Sequence, residues 1–105
     1  MKIEKTARGF AIARFDDIYG VACSIQKSSL ATDDAIWVGV DDASPRIMAS
    51  NAARFGIETQ ETCGYVDFPI PDEVSMTTRM HLNREEVAKL LPILTRFVET
   101  GEIND

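Results

Sequence analysis

The chain has 105 residues, 45% of them hydrophobic and 27% charged, which is typical of one soluble globular domain. Its net charge of −6 argues against a protein that holds nucleic-acid phosphates through a general basic surface. Because no apolar run approaches the roughly 20 residues that span a bilayer, and the N-terminus lacks the apolar segment of a signal peptide, we expect a cytoplasmic protein that does not bind membranes.

The first part of the chain predicts antiparallel strands. A short strand at "KIEKT" is expected to precede "GFAIARF" and "YGVACSIQ". In the second segment the larger apolar side chains alternate with small or polar ones: Tyr19, Val21, Cys23 and Ile25 against Gly20, Ala22, Ser24 and Gln26. These two segments flank "DDIY", a turn-forming stretch, and together they indicate a β-hairpin. The segment "AIWVGV", residues 35–40, is continuously apolar and rich in β-forming residues, so it predicts a central strand.

The middle of the chain carries a weaker helix signal. Ser44 followed by Pro45 matches an N-cap with proline at the first helical position, and Gly56 would end a short helix over residues 45–55. Residues 57–64 have the composition of a loop. Beyond them, "YVDFPIP" predicts a strand at a sheet edge, because proline cannot donate to a ladder, and "MTTRMHL" predicts a half-buried strand.

The clearest element is a C-terminal helix. Asn83 is a good N-cap, and Glu86 three residues later can complete a capping box. Gly101 is placed to end the helix, and Pro92 is expected to kink it. One face of this helix is apolar and consists of Val87, Leu90, Leu91, Leu94, Phe97 and Val98. The sequence therefore predicts an α+β domain in which a long, proline-kinked helix packs on one face of an antiparallel sheet of about five strands.

No catalytic, cofactor-binding or metal-binding constellation emerges from the residue types and their spacing. Cys23 lies in an apolar strand pattern, where a thiol is inert, and Cys63 lies in a loop, where it is the more reactive candidate. The only histidine, His81, alternates away from Met80 and Leu82 and is expected on the opposite face of its strand. We therefore expect no enzyme, no cofactor and no metal, with a cysteine-dependent enzyme as the most distant alternative.

Paired aspartates form the first candidate binding site. If residues 9–15, 20–27 and 35–40 form a meander, Asp16 and Asp17 share one sheet edge with Asp41 and Asp42, about 10 Å apart across one strand. The pair Asp33-Asp34 is then expected at the opposite end. Such an acidic rim could face a basic groove on a partner, although aspartate also occurs at turns simply because it caps backbone amides.

The polar loop "QKSSLATDD" is the second candidate. Lys27, Ser28 and Ser29 offer a cation and two hydroxyls that could hold an anionic ligand or a partner's polar edge. With Trp37 as a stacking surface, the same residues would suit a small ligand such as a nucleotide signal. Ordinary turn chemistry is the other interpretation, with Leu30 reaching back to the core as a plug.

The chain resembles a group of small phage and prophage proteins. The resemblance is carried by Phe15, Asp17, the "YG" and "CSIQ" segments of residues 19–26, "SSLA" at 28–31 and "IWVG" at 36–39. It continues through "HL" at 81–82, Glu85 or Glu86, Val87, "LLP" at 90–92, Phe97 and "TGE" at 100–102, whereas residues 43–75 have no counterpart. It implies a phage setting, in which small acidic proteins often bind and block a host component, as anti-CRISPR proteins and other anti-defence inhibitors do.

The sequence thus favours a non-enzymatic accessory protein that binds a host protein or a protein–nucleic-acid complex. The residues expected to make this contact are Asp16, Asp17, Lys27, Ser28, Ser29, Asp41 and Asp42. A homodimer is a further expectation that stays open, because "YVDFPIP" or the N-terminal strand could pair with its own copy through an exposed edge.

Overall fold

The computed structural model of the chain describes residues 1–104 and has the predicted α+β composition. The chain divides into two compact units, one formed by residues 1–41 with the chain from residue 78 onward, and the other by residues 42–77. Within residues 1–104, no helix is long and apolar enough to cross a membrane. The strands and helices are β1 (Ile3–Lys5), β2 (Ala11–Asp16), β3 (Ala22–Lys27), β4 (Ala35–Val40), β5 (Arg46–Met48), α1 (Ala49–Ala52), β6 (Tyr65–Asp67), β7 (Arg79–Asn83) and α2 (Arg84–Thr100).

The first unit contains the five-stranded antiparallel sheet, with the strand order β1-β2-β3-β4-β7. The predicted sheet of about five strands is therefore confirmed. Strands β2, β3 and β4 form the expected meander, in which Phe15 pairs with Cys23 and Cys23 with Val40. The segment "MTTRMHL" does supply a strand, but β7 begins three residues later than that pattern, at Arg79, and pairs with β4.

The β2–β3 hairpin is closed by Asp17. Its Oδ1 accepts hydrogen bonds from the backbone N–H groups of Tyr19 at 2.8 Å and Val21 at 3.0 Å. Gly20 adopts a φ of 81°, which a residue with a side chain rarely takes. The predicted turn at "DDIY" is therefore confirmed. An aspartate suits position 17 because its carboxylate accepts hydrogen bonds from backbone N–H groups of the turn.

Strand register gives the sheet two chemically different faces, because side chains alternate along every strand. The apolar face carries Ala13, Phe15, Cys23, Ile25, Ile36, Val38, Val40, Met80 and Leu82. The polar face carries Ile12, Arg14, Asp16, Ser24, Gln26, Trp37, Arg79 and His81.

The predicted C-terminal helix is present as α2. Asn83 and Glu86 form the capping box, with hydrogen bonds of 2.8 and 3.0 Å between each side chain and the other residue's backbone N–H. Gly101 ends the helix with a φ of 77°, and Pro92 lies inside a single unbroken helix. The kink at Pro92 stays a prediction.

The expected packing of α2 on a sheet face is wrong. No side chain of α2 is buried, and Leu91, Leu94 and Phe97 are 57%, 58% and 54% exposed. The helix packs mainly against β7, the strand it continues. The physical reason is that Asn83 is both the last residue of β7 and the N-cap of α2, so no turn lies between them to bring the helix back across the sheet.

The second unit is built around the short β5–β6 ladder, which the hydrogen bond from Phe68 N to Pro45 O extends. The helix predicted for residues 45–55 therefore begins only at Ala49 and continues as a 3₁₀ turn to Phe55, because residues 46–48 are a strand. Gly56 ends it as expected, with a φ of 75°. The strand predicted at "YVDFPIP" is limited to residues 65–67 and pairs with β5 rather than with the five-stranded sheet.

Candidate binding surface

An aromatic and cationic cluster lies on the polar face where β4 meets β7. Trp37 pairs with His81 in register, and their rings stack with centroids 5.0 Å apart and an angle of 21° between their planes. The Arg79 guanidinium carbon lies 4.9 Å from the Trp37 ring centroid, which is cation–π distance. Arg79 also donates a 3.1 Å hydrogen bond to Gln26 Oε1 on β3. We call Gln26, Trp37, Arg79 and His81 the Trp37 cluster.

Gly39 makes this arrangement sterically possible. It pairs with Arg79 across the β4–β7 ladder, and a Cβ built on it would lie 2.5 Å from Thr78 O and 2.9 Å from Arg79 Cα. Because Gly39 lacks a side chain, the two strands approach closely and the side chain of Arg79 has room to extend over the Trp37 ring.

Trp37 is half-buried, and its indole Nε1 is a buried polar atom without a hydrogen-bond partner in the described structure. That atom is inaccessible to solvent and has no hydrogen-bond partner among residues 1–104. A buried donor without a partner costs roughly 1–3 kcal/mol. The ring is therefore held by its stacking and cation–π contacts rather than by its polar atom.

The acidic end of the same face agrees with the predicted meander. Asp16 pairs with Ala22, and the backbone N–H of Asp41 donates to Ala22 O, so both aspartates flank the start of β3. Asp41 Oδ1 accepts a 2.7 Å hydrogen bond from the fully buried Ser24, and Arg14 lies 4.0 Å from its other oxygen. Asp16, Asp17 and Asp41 thus share one end of the sheet, whereas Asp42 is the first residue of the second unit.

The loop between β3 and β4 is held by contacts within the chain. Lys27 forms a 3.2 Å ion pair with Asp34, at the end of the sheet opposite Asp41, and Arg84 lies 3.9 Å from the same carboxylate. Ser28 is 3% exposed, and its Oγ accepts a hydrogen bond from the backbone N–H of Leu30. Leu30 itself is 53% exposed, so its predicted role as a plug is wrong.

The four residues considered for a nucleotide-like ligand do not converge. Lys27 pairs with Ile36, and by strand alternation its side chain belongs to the apolar side of the sheet, whereas Trp37 lies on the polar face. Ser28 is buried and Ser29 is exposed in the loop. A ligand site formed by Lys27, Ser28, Ser29 and Trp37 is therefore not assembled.

The sheet separates Cys23 from His81. Cys23 lies on the apolar face, where burial raises the pKa of its thiol and the nearby carboxylates of Asp17, Asp41 and Asp16 raise it further. His81 lies on the polar face, so it cannot act as the base for this thiol. Cys63 is exposed in the loop of the second unit. Within the described part of the chain, no group of three or more His, Cys, Asp or Glu residues is placed to hold a metal ion.

The fold and this surface define an α+β protein with an open antiparallel sheet, one face apolar and the other bearing an aromatic–cationic cluster beside an acidic end. Compared with protein-family models, curated proteins and solved structures, the chain gives no match. The Trp37 cluster was not predicted from the sequence. Alternation within "AIWVGV" and "MTTRMHL" indicates which residues share a face of each strand. The cluster itself also depends on the pairing of β4 with β7, which are distant in sequence.

Proposed function

We propose that this protein is a non-enzymatic accessory protein that binds and blocks a host macromolecule through the polar face of its sheet. The resemblance to phage and prophage proteins supports a setting in the host cytoplasm. It also suggests the kind of partner: a protein or a protein–nucleic-acid complex of a defence system. Anti-CRISPR proteins and other anti-defence inhibitors bind partners of this kind.

The observation that carries this proposal is the stack of Trp37 and His81 with Arg79 against it on an accessible sheet face. Tryptophan and arginine are enriched among the residues that dominate binding energy at protein interfaces. His81 is exposed and rigidly oriented by the Trp37 ring, so little side-chain entropy remains to be lost when a partner covers it.

The acidic end adds charge selectivity to the same face. Asp16 is exposed, and Asp41 is oriented by Ser24 with part of its carboxylate still accessible. Together with the net charge of −6, these carboxylates favour a partner with a basic surface and would accelerate its association. Of the residues predicted to bind, Asp16 and Asp41 are retained here because they lie at the acidic end of the polar face, although Asp41 also contacts Ser24 and Arg14. By contrast, Asp17 caps the β2–β3 turn, and Lys27 and Ser28 hold the β3–β4 loop.

Affinity capture from host lysate tests the proposal with single-residue variants. The wild-type chain is expected to retain one macromolecule in stoichiometric amount, and His81→Ala and Asp16→Ala are each expected to weaken the measured affinity by about tenfold. Lys89→Ala, on the exposed polar side of α2, is the matched control and is expected to bind like the wild type. A partner retained equally by all variants would place binding elsewhere and contradict the proposal.

A small-ligand binder is the second candidate function. The flat stack of Trp37 and His81 next to the Arg79 guanidinium would also suit a planar, anionic ligand such as a nucleotide. Native mass spectrometry and ligand-dependent melting separate the two functions. A co-purifying metabolite whose binding is lost in His81→Ala would support the second, and unchanged melting across a panel of nucleotides would count against it.

A further inference from the structure

The outer edge of β7 is open to an additional strand. In the described structure, β7 lies at one end of the five-stranded sheet and pairs with β4 on its inner side. In an antiparallel strand, every second residue directs its backbone N–H and C=O away from a given neighbouring strand. The hydrogen bonds on the other side of β4 determine which residues of β7 do so.

Two hydrogen bonds fix the direction of the backbone groups along β4. The backbone N–H of Ser28 donates to Ala35 O, and that of Asp41 donates to Ala22 O, both at 2.9 Å. The odd-numbered residues of β4 therefore direct their N–H and C=O groups toward β3. Its even-numbered residues direct theirs toward β7.

The same alternation places the backbone groups of Arg79 and His81 on the open edge. Met80 and Leu82 pair with even-numbered residues of β4, so they hydrogen-bond to that strand. Arg79 and His81 pair with odd-numbered residues, so their N–H and C=O groups point away from the sheet. Among the backbone hydrogen bonds of residues 1–104 that lie outside the helices and strands, none reaches these four groups.

Two further contacts agree with this assignment. Trp37 and His81 form a non-hydrogen-bonded pair of the β4–β7 ladder, in which opposite residues approach more closely, as the stacking of their rings requires. Asn83 also faces outward, and its N–H donates to Glu86 Oε1 rather than to β4. The free part of the edge is therefore centred on His81, a member of the Trp37 cluster.

The edge of β7 lacks the usual protection against pairing. Edge strands commonly avoid it by being very short or by carrying charged side chains, especially lysine. At the other end of the sheet, β1 has three residues, of which Glu4 and Lys5 are charged. β7 has five residues, and its arginine lies against the Trp37 ring and bonds to Gln26 instead of guarding the edge.

We propose that an extended segment of the partner adds to the edge of β7 as a further antiparallel strand. This inference rests on the proposed function, because it names the part of the partner that meets the polar face. The free N–H and C=O groups of Arg79 and His81 alternate at the spacing of a β-ladder, so an extended backbone is their natural complement. The added strand would continue the polar face directly beyond His81.

The side chains of β7 indicate which residues the segment carries. Residues directly opposite each other in a ladder lie on the same face of the sheet. The residue opposite His81 therefore lies beside the Trp37–His81 stack, where an aromatic ring would extend the stack. The neighbouring residue lies opposite Met80, which is 57% exposed on the apolar face, and an apolar side chain there would cover it. The segment is thus an extended peptide with an aromatic residue next to an apolar one.

A second copy of β7 fits this edge less well. Two-fold antiparallel pairing would set Arg79 opposite a second Arg79 or opposite His81, which brings basic side chains together. The remaining register sets Arg79 opposite Asn83, whose N–H already bonds to Glu86. A foreign segment has neither restriction.

Amide hydrogen exchange of the full chain, resolved by residue with NMR, tests the free edge. The N–H groups of Arg79 and His81 are expected to exchange about tenfold faster, or more, than those of Met80 and Leu82, which bond to β4. Equal protection of all four amides would mean that the edge is already covered, and it would overturn the proposal. Protection of His81 that grows with chain concentration would show pairing with a second copy and would overturn it too.

Linear peptides selected from a displayed random library on the immobilised full chain are the binding probe. Enriched peptides are expected to place an aromatic residue beside an apolar one and to protect the His81 amide. Methylation of one peptide nitrogen at a time then tests the backbone contact. Methylation at alternate positions, whose N–H faces β7, should raise the dissociation constant about tenfold. The intervening positions face away and are the matched controls. Selection of no peptide that protects His81, or equal effects at all positions, would contradict the added strand.

The captured host macromolecule separates this inference from the proposed function. A partner that is lost in His81→Ala but leaves the His81 amide of the wild type unprotected would support the function and overturn the added strand. Peptides that bind through the edge while no host macromolecule is captured would support the strand site and contradict the function.

Discussion

Trp37 and His81 stack face to face across the β4–β7 ladder, with ring centroids 5.0 Å apart and a 21° angle between the rings. Arg79 completes this contact by lying against the Trp37 ring, at 4.9 Å from its centroid. Three side chains from two strands that are distant in sequence thus form one rigid group on the polar face.

The stack predicts a measurable contribution to stability. Removing the ring in His81→Ala, or the guanidinium in Arg79→Ala, is expected to lower the free energy of unfolding by about 0.5–1.5 kcal/mol each. Urea unfolding followed by the fluorescence of the single tryptophan, Trp37, measures this at fixed protein concentration. The two losses should not be additive, because both residues contact the same ring. Additive losses would indicate independent contacts and contradict a single cluster.

Gly39 is expected to tolerate substitution less well than any glycine in an open turn. A Cβ at this position meets Thr78 O at 2.5 Å and Arg79 Cα at 2.9 Å, so Gly39→Ala should cost about 2 kcal/mol or more by forcing the strands apart. Gly9→Ala is the control. Both glycines have a positive φ, 152° at Gly39 and 88° at Gly9, but a Cβ at Gly9 would have nothing within 4 Å, so this substitution should cost only about 1 kcal/mol. Equal losses for the two variants would refute the close strand approach.

The hydrogen bond from Ser24 to Asp41 is expected to stabilise the acidic end of the sheet. Ser24 is fully buried and donates at 2.7 Å, so Ser24→Ala should lower the free energy of unfolding by about 1–2 kcal/mol. Asp41→Asn keeps an acceptor oxygen and should cost less than Asp41→Ala. Thermal melting of the three variants at equal concentration provides the comparison, and identical melting of Asp41→Asn and Asp41→Ala would show that this hydrogen bond is unimportant.

The two thiols should differ strongly in reactivity. Cys63 is exposed and is expected to be alkylated quickly, whereas Cys23 is buried and has a raised thiol pKa, so it should react only when the chain unfolds. Counting labelled thiols by mass spectrometry before and after denaturation checks this. In Cys63→Ser, no label should be incorporated by the folded protein, and rapid labelling of that variant would contradict the burial of Cys23.

The same thiol gives a pH dependence with a defined sign. Because the pKa of Cys23 is raised in the folded state, the folded chain holds this proton more tightly than the unfolded chain does. Its contribution to stability is therefore complete below the unfolded thiol pKa of about 8.5 and is lost as the pH rises through the folded value. As the pH rises above about 8.5, unfolding should become easier in the wild type than in Cys23→Ala, relative to their stabilities at neutral pH.

Local sequence patterns were reliable wherever the determining contacts are local. The capping box of Asn83 and Glu86, the turn at Asp17 and the stop at Gly56 each depend on residues within four positions, and each is present as predicted. The helix predicted for residues 45–55 was partly wrong because residues 46–48 pair with residues 65–67, a contact that local propensity does not register.

The candidate binding residues likewise divide into those placed by strands that are neighbours in sequence and those placed by strands that are distant in sequence. The shared position of Asp16, Asp17 and Asp41 followed from strand alternation and a meander of neighbouring strands. The Trp37 cluster could not be derived, since it requires β7 to return beside β4 after the whole second unit, in one particular register. A shift of that register by one residue would move His81 to the other face and away from Trp37.

Periodicity and short-range backbone chemistry in the sequence were enough to predict strands β2–β4, the cap of α2 and its apolar stripe. Whether this stripe packs on the chain's own sheet depends on the tertiary structure, and most of it does not. The sequence pattern suggested the chain's own sheet, but Asn83 joins β7 to α2 without a turn, and the helix leaves that sheet after its first turns. An amphipathic pattern indicates which side of a helix is apolar, whereas the connection between β7 and α2 decides how much of that side reaches the chain's own sheet.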